Sequence, residues 1–340
     1  MLKFSSEAGM GFPIAFDFAG KDKSYSLKGY DMKRIIILLL FILLLSSACC
    51  AEGTERKKQT PAAAPVTQFG RPEINTVYDY LLSGIYEVDG RQGIAVADYG
   101  YIVSGSTSLS VYDESWKLIA LNETPFAGYS AEVNHIGDID VHGGKIYAGV
   151  EYFMDGQAAN IQIAVYDAET LTLESTIPFE AESGQTEVSG IAVDPDSRSI
   201  WLCSWADGES GRYLYRYSLE NGSYLGKYHL QPCPQWIQGI AFHEGYLYIT
   251  ADDGTADLGE PDHIYRCKVD LKTTAWPVLM ERTLDDVTLQ GEIEGLSFAD
   301  NSLLVTYNRG ARIVLGMPKG FYEGYDTEIH EIFEYVITFR

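Results

Sequence analysis

The chain has 340 residues, of which 46% are hydrophobic and 21% charged, and its formal net charge at pH 7 is −23. This composition is that of a folded protein with a core, not of a disordered chain. An acidic surface repels the phosphates of nucleic acids, so no nucleic-acid partner is expected, and it favours cations such as metal ions, amines or basic peptides. The simpler interpretation is that the charge keeps an exported protein soluble.

An export signal is the clearest feature of the N-terminal region. Lys33 and Arg34 precede the apolar run 35–45. That run has the length of a signal-peptide core and is short for a membrane span. We therefore expect the chain to be exported to the cell envelope, on the periplasmic or cell-surface side.

The residues after the apolar run resemble the cleavage and acylation site of bacterial lipoproteins. Cys49 is the expected lipidated residue and Cys50 the alternative, although Ser46 stands where such signals usually have Leu. Cleavage after Ala48 without lipidation also fits the pattern. We expect the protein to attach to the membrane through this N-terminal lipid.

The chain is predicted to divide into four parts. Residues 1–31 precede the basic segment and are interpreted as a non-native N-terminal extension. Residues 32–48 form the signal peptide, and 49–73 are the lipid anchor and a flexible linker rich in Ala, Pro and charge. Residues 74–340 form the folded domain. Its three cysteines have no zinc-site spacing, which leaves one disulfide or buried free thiols.

A short pattern recurs five times in the folded domain, in which a polar residue and Gly precede an apolar strand, a tight turn and a second strand. The glycines of the copies are Gly93, Gly137, Gly190, Gly239 and Gly295, at intervals of 44, 53, 49 and 56 residues. Periods of this size built from short strands are typical of propeller blades.

Each copy is followed by two more predicted strands, so we expect an all-β fold, a five-bladed β-propeller of four-stranded antiparallel blades, as a monomer. In the fifth copy "ARIVLGM" is the predicted third strand and "IFEYVITF" the fourth. The segment 77–88 before the first copy has two interpretations. It is either an outer strand that closes the ring or part of a sixth blade, and six blades is the alternative.

The repeat geometry predicts which residues surround the mouth of the central channel. In a propeller, the loops that enter the first strands and those that join the second and third strands open on one face. The expected ligand-binding residues are Gln92, His135, Glu151, Glu187, Trp205, Trp236, Gln238, Asp252, Asp253, Glu294, Asn308 and Arg309. The two tryptophans are suited to stack on a sugar, an aromatic ligand or a cationic amine.

Acid–base chemistry has four candidate residues in this set. They are His135, Asp138, Glu187 and Glu294. A His beside carboxylates suits proton transfer, and Asp138 and Asp140 share one face of a strand, so both are expected to point into the channel. Structural hydrogen bonding is the competing interpretation. Nucleophilic Ser or Cys catalysis has no supporting motif.

The loop 250–263 is the most acidic stretch of the domain. Asp252, Asp253 and Asp257 within it offer oxygen ligands of the kind that Ca²⁺ prefers. Their spacing does not match an EF-hand, and a solvated acidic loop is the alternative.

The segments "QGIAV", "QGIAF" and "EGLSF" resemble those of glutamine cyclotransferases, gluconolactonase-like propellers and NHL-like propellers, over about residues 90–310. The resemblance implies the fold, with five blades for the cyclotransferases. For the gluconolactonase-like proteins it implies a divalent cation on channel carboxylates and amides, for which Asn134, Glu187 and Glu294 are the nearest residues. No catalytic set is carried over residue by residue.

Three functions follow as expectations. The first is binding of a small molecule, a glycan or a peptide at the channel mouth. The alternatives are an enzyme, as a metal-assisted hydrolase, a lactonase or a cyclotransferase-like protein, and a scaffold for protein interactions.

Overall fold

The computed structural model describes residues 72–206, 208–287 and 290–340. The predicted extension, signal peptide, both lipidation candidates and nearly all of the linker lie outside the described residues. In the part that is described, no helix has the length and apolar character needed to cross a membrane.

The fold is all-β and propeller-like, and its strands follow one another with short connections. In chain order they are β1 (Tyr78–Glu87), β2 (Gly93–Ala97), β3 (Gly100–Gly105), β4 (Ser108–Tyr112), β5 (Leu118–Asn122), β6 (His135–His142), β7 (Lys145–Met154), β8 (Gln157–Asp167), β9 (Leu173–Pro178), β10 (Ile191–Asp194), β11 (Ser199–Leu202), β12 (Tyr213–Ser218), β13 (Tyr224–Gln231), β14 (Ile237–His243), β15 (Tyr246–Ala251), β16 (His263–Lys268), β17 (Ala275–Thr283), β18 (Gly291–Ala299), β19 (Ser302–Arg309), β20 (Ala311–Val314), β21 (Met317–Phe321) and β22 (Ile329–Phe339). Three single-turn 3-10 helices interrupt them, at Ala181–Ser183, Ser210–Arg212 and Ala256–Leu258.

Turn chemistry explains the tight hairpins. Between β6 and β7 the two-residue loop is Gly143–Gly144, with φ angles of 59° and 73°. Two consecutive positive φ angles are the mark of the hairpin turn whose twist matches that of the strands, and glycine adopts them without strain.

The strands form sheets whose order follows the repeats. β2–β5 form one four-stranded sheet and β6–β9 another, while β10–β17 form an eight-stranded sheet in the order β10-β11-β12-β13-β17-β16-β15-β14. Its two halves are joined by a parallel pairing of β13 with β17 over three residue pairs, from His229 with Ala275 to Gln231 with Pro277. Every other pairing within the sheets is antiparallel, as the repeats predict.

The N-terminal and C-terminal strands of the domain share one sheet, in the order β1-β22-β19-β18. β1 pairs with β22 along its whole length, from Tyr78 opposite Phe339 to Glu87 opposite Glu331. The segment 77–88 therefore provides the outer strand of the sheet that contains the C-terminal strand.

The prediction that "ARIVLGM" forms the third strand of the fifth copy was wrong. It provides β20, which pairs only with β21 in a separate two-stranded ribbon, and β22 is the third strand of that sheet. Gly310, at φ 99°, turns the chain out of the sheet. β22 takes the place because it buries Ile332, Phe333 and Tyr335, whereas most of the ribbon is exposed.

The first strand of each repeat contacts the first strand of the next. β2 contacts β6, β6 contacts β10, β10 contacts β14, β14 contacts β18, and β18 contacts β2. These contacts form a closed ring of strands around an axis. The apolar core lies in layers between neighbouring sheets, one of which contains Trp201, Tyr228 and Trp276. Cys203, Cys233 and Cys267 are buried free thiols in that same layer.

Candidate functional site

The axis of the ring is closed by a layer of glycines around one carboxyl group. A Cβ atom on Gly239 would lie 2.6 Å from the Cα of Gly295, and one on Gly295 would lie 2.7 Å from the Cα of Gly93. Real Cβ atoms do not approach so closely, so only glycine fits at these positions. The side chain of Asp138 fills the space that they leave and is 1% exposed.

Asp138 links two inner strands across the axis, β6 and β14. Its Oδ1 accepts a hydrogen bond from Ile139 N at 2.9 Å, and its Oδ2 accepts one from Ile240 N, on β14, at 3.2 Å. Burial raises the pKa of this carboxyl well above its usual range. The carboxyl does face the axis, as strand alternation predicts. It lies within the closed glycine layer, where its partners are backbone N–H groups, and this favours the structural interpretation over a catalytic one.

Asp140 faces the same axis two residues further along β6. Its Oδ2 accepts from Val193 N at 2.7 Å, and its Oδ1 accepts from Val141 N at the same distance. Burial raises its pKa to about 6. The two carboxyls therefore do share a face, and each is held by another inner strand.

A chain of hydrogen-bonded side chains forms one wall of the mouth above this layer. His135 Nδ1 lies 3.3 Å from Glu151 Oε1, and His135 Nε2 lies 3.1 Å from Gln92 Oε1. The amide of Gln92 donates to Glu294 Oε1 at 3.4 Å, and Glu151 Oε2 accepts from Val188 N at 2.8 Å.

Burial sets the protonation states of His135 and Glu151. It lowers the pKa of His135 to about 4 and raises that of Glu151 to about 8. At neutral pH His135 is therefore neutral, and a proton on Glu151 satisfies its Nδ1. The Nε2–H group of His135 then donates to Gln92 Oε1, because the Gln92 amide nitrogen faces Glu294.

These protonated carboxyls predict a stability that falls as the pH rises from 6.5 to 8. In the native state Glu151 has a pKa of about 8, and Asp262, which lies in a separate cavity with Asp252, has a pKa of about 7. Both carboxyls therefore keep protons that the unfolded chain loses near pH 4. The native state then binds more protons than the unfolded state, so deprotonation favours unfolding. His135 acts in the opposite direction only below pH 6.5, its ordinary pKa. Urea unfolding across this range measures the slope.

Glu151→Gln is the matched variant for that experiment. Its amide group donates to His135 Nδ1 and accepts from Val188 N, as protonated Glu151 does, but it does not titrate. We expect a flatter profile between pH 6.5 and 8. An unchanged slope in this variant would show that Glu151 is ionised in the native state at neutral pH.

Arg91 lies opposite, among three carboxylates. It approaches Glu292 at 2.9 Å, Glu294 at 3.4 Å and Glu328 at 3.1 Å. Gln238 donates to Glu292 Oε1 at 2.8 Å, and Asn308 donates to Glu294 Oε1 at 3.0 Å. The amides that were predicted to bind ligand thus also hold the acidic network in place.

Phe153, Glu187 and Trp205 form the third side of the mouth, and Trp236 lies behind Trp205 in the adjoining cleft. The rings of Trp205 and Trp236 lie 5.0 Å apart between centroids, and Phe153 meets Trp205 edge-on at 6.3 Å. Glu187, 3% exposed, accepts a hydrogen bond from Trp205 N at 2.5 Å, and burial and nearby Glu151 raise its pKa well above the usual range.

Trp205 borders both the mouth and a wider cleft beside it. The cleft has a volume of about 500 Å³ and is lined by Gly156, Gln157, Ala158, Thr186, Trp205, Ala206, Trp236 and Leu315. Trp236 has a φ angle of 55°, which is strained for a bulky residue. Such strain persists where the surrounding structure holds it, and it is enriched at binding sites.

The three predicted calcium ligands have different partners, although Asp252 and Asp257 line one cavity. Asp257 forms a two-bond ion pair with Arg312, at 2.9 Å for each bond. Asp253 lies 2.7 Å from His263 Nδ1 and accepts from Tyr265 Oη at 2.5 Å. Across 72–206, 208–287 and 290–340, no group of three or more His, Cys, Asp and Glu side chains is arranged to hold a metal ion. Calcium binding therefore gains no support from this loop.

Asp252 lies in a different cavity from the mouth. It faces Asp262, and the two carboxyls share a hydrogen bond in a cavity of about 190 Å³ that Glu292 also lines. Burial raises the pKa of Asp262 to about 7 and that of Asp252 well above its usual range, and the charge of Asp262 raises the pKa of Asp252 further. Arg309 is directed to Glu331, with which it makes two bonds of 2.7 and 3.0 Å.

Of the residues predicted from the repeats, half lie together around the mouth. The side chains lining it include Gln92, His135, Glu187, Trp205, Gln238 and Glu294. Glu151 is hydrogen-bonded to His135, and Asn308 is hydrogen-bonded to Glu294, without lining the mouth themselves. Trp236 lines the adjoining cleft.

Sequence reasoning missed Phe153 and the tip of the ribbon. Leu315 and Gly316, with φ angles of 53° and 69°, form the turn between β20 and β21. A Cβ atom on Gly156 would lie 3.4 Å from the Cβ of Leu315, and Gly316 borders the mouth beside Phe153. The two hairpin tips therefore meet at the mouth. The glycines on either side of "ARIVL" were the available signal for a protruding hairpin.

No protein-family model and no curated protein sequence matches the chain. Solved structures of propeller type are similar to it in fold. A hydrazine synthase chain of Kuenenia stuttgartiensis is 10% identical, with a TM-score of 0.40, covering 72% of this chain and 62% of its own. The PQQ-bound aldose sugar dehydrogenase of Streptomyces coelicolor is 11% identical, with a TM-score of 0.43, covering 77% and 100%. The Pan2 WD40 domain of Neurospora crassa is 11% identical, with a TM-score of 0.36, covering 63% and 58%.

The chain thus spans less than two thirds of the hydrazine synthase and Pan2 chains. At these identities the similarity concerns the fold alone, and no ligand or activity is transferred from it.

Proposed function

We propose that the domain is a five-bladed β-propeller that binds a small ligand, a glycan or a peptide at its channel mouth. The ring of first strands supports the blade count, because it contains β2, β6, β10, β14 and β18. The eight-stranded sheet counts as two blades on this proposal, since only the short parallel pairing of β13 with β17 joins its halves.

One observation carries the binding proposal: the tryptophan pair where the mouth meets the adjoining cleft. Trp205 and Trp236 are half-buried, border a cleft of about 500 Å³ and lie beside buried acidic and amide groups. Concave sites that combine aromatic walls with a few converging polar groups are typical of ligand pockets. The backbone strain at Trp236 supports a role for its ring that packing alone does not require.

Ligand binding is tested with Trp236→Ala. A panel of amines, sugars and short peptides is screened by thermal shift and by tryptophan fluorescence on the wild type and the variant. At least one class is expected to stabilise the wild type and to lose most of its effect in the variant, because the stacking surface is removed.

Trp116→Ala is the control, since that ring stacks on Tyr101 at 4.2 Å and lies outside the mouth lining. It should lower the melting temperature without removing the ligand response. A panel in which no compound acts, or in which both variants respond alike, would contradict the proposal.

An enzyme is the second candidate function, and the chain from Glu151 through His135 to Gln92 favours it. A neutral imidazole at the edge of a cavity is suited to accept or donate a proton. The test is turnover of lactone, phosphodiester or N-terminal glutamine substrates, with His135→Gln as the comparison. Activity that survives this change would remove His135 from the mechanism.

We further propose that the chain is exported and anchored by a lipid on Cys49, as a monomer without nucleic-acid partners. The residues 32–50 support this, with their basic start, apolar run and small residues before Cys49. Cys49→Ala should move the protein from the membrane fraction to the soluble fraction, whereas Cys50→Ala should not. The reverse pattern would assign the lipid to Cys50, and membrane retention in the double variant would contradict lipid anchoring.

A further inference from the structure

We infer that the ligand of the mouth is an organic cation, an ammonium group carried on an apolar or aromatic body. This inference rests on the proposed ligand binding and names the class of ligand. It depends on three features of the site: its charge, its aromatic walls and the cleft that continues from it.

The mouth has more carboxyl groups than cationic groups. Three carboxyl groups line it, from Glu187, Glu292 and Glu294, against the single guanidinium group of Arg91. Arg91 is already shared between Glu292, Glu294 and the neighbouring Glu328. His135 is neutral and adds no positive charge.

Glu187 is the carboxyl group that this arrangement leaves without a cation. Within the described ranges, no ion pair involves it. Its hydrogen bonds come from the backbone N–H groups of Trp205 and Ala206. Burial keeps Glu187 protonated while the mouth is empty, and an ammonium group beside it would favour the ionised carboxylate and pair with it. An anionic ligand has no such partner at this position.

The aromatic rings favour a cation that is organic over a metal ion. Trp205 contributes a backbone N–H group to Glu187 and its ring to the wall of the same mouth. A cation close to Glu187 would thus lie near Trp205, whose ring centroid is 5.0 Å from that of Trp236, and indole rings attract cations through their quadrupole. The carboxylate and the rings act together on one charged group.

The cleft accounts for the body of the ligand. Ala158, Ala206 and Leu315 provide apolar walls next to the indole rings, and Gln157 and Thr186 are its polar side chains. Among the described residues that line this cleft, none is charged. A ligand whose head is cationic and whose body is apolar fits both parts, with the head at Glu187 and the body between the tryptophans and the ribbon tip.

Three probes of matched shape test the inference on the wild-type domain. They are 2-phenylethylamine, 2-phenylethanol and 3-phenylpropanoate, which carry a cationic, a neutral and an anionic head on the same body. Measured by calorimetry or tryptophan fluorescence, the amine should bind at least tenfold more tightly than the alcohol. The carboxylate should show no saturable binding.

Glu187→Gln assigns the effect to one residue. It should weaken amine binding about tenfold and leave alcohol binding unchanged, while Trp236→Ala weakens both. Glu182→Gln, an exposed residue of the same segment, is the control and should change neither. A melting curve for each variant separates loss of binding from loss of folding.

The outcomes are distinguishable from failure of the binding proposal. If the alcohol or the carboxylate binds as tightly as the amine and does so through Trp236, the cation inference is wrong and ligand binding stands. If no probe binds, the cation inference is overturned, and the wider panel decides ligand binding by itself. An Nα-acetyl-lysine N-methylamide arm identifies the source: tighter binding than the free amine indicates a basic peptide, and weaker binding a small amine.

Discussion

Replacement of Arg266 by Ala is expected to destabilise the fold by about 3–5 kcal/mol, as does removal of one partner from other buried ion pairs. Arg266 and Glu281 are 3% and 0% exposed, and their side chains meet at 2.7 Å. Arg266 also donates to the backbone oxygen of Asn75 at 2.9 Å, and Glu281 accepts from Val77 N at 2.9 Å. The pair thus holds the segment that leads into the outer strand β1. Urea unfolding measures the change.

Two variants sharpen this result. Arg312→Ala, which breaks an exposed ion pair with Asp257, should leave the free energy of unfolding unchanged within error. Glu281→Gln added to Arg266→Ala should recover part of the loss, because it removes the unpaired buried charge and still accepts hydrogen bonds from Val77 N and Tyr80 Oη. An equal loss in Arg312→Ala would mean that burial does not set the contribution.

Gly295→Ala is the second large effect, and we expect it to destabilise the domain by roughly 3 kcal/mol, the upper range for overpacking. Its new Cβ would lie 2.7 Å from the Cα of Gly93 and would overlap the carboxyl of Asp138. Three elements meet there, so none can move aside without disturbing the ring.

Gly143→Ala is the matched control, because a Cβ atom at that position meets nothing within 4 Å. Its φ of 59° makes the change unfavourable by only about 1–2 kcal/mol. Thermal and urea unfolding of both variants compare the two effects. Equal destabilisation would show that backbone conformation, and not crowding at the axis, requires glycine in this fold.

The repeat predicted the architecture because each copy contains its own local signals. A glycine, an apolar triplet and a turn recur at each first hairpin. Gly239 and Gly295 could therefore be assigned to first strands from their local sequence alone. The fifth copy failed where a local pattern competed with a distant one. "ARIVLGM" looks like a strand, but its place is taken by β22, whose partner β1 is more than 200 residues away in the sequence. No local signal contains that pairing.

The mouth was predictable to the extent that it follows the repeat. Gln92, His135, Glu187 and Gln238 occupy related positions at the entries of their strands, and they do line one cavity. The loops vary freely in length and direction, so Asp257, Arg309 and the ribbon tip were not predictable. The pairing of Glu151 with His135 also depends on a register across β6 and β7 that composition does not reveal.

The carboxyl of Asp138 and the glycines around it have a consequence for how a ligand moves. Because this layer fills the axis, the mouth is a recess with a closed floor, and a ligand that enters it leaves on the side from which it came.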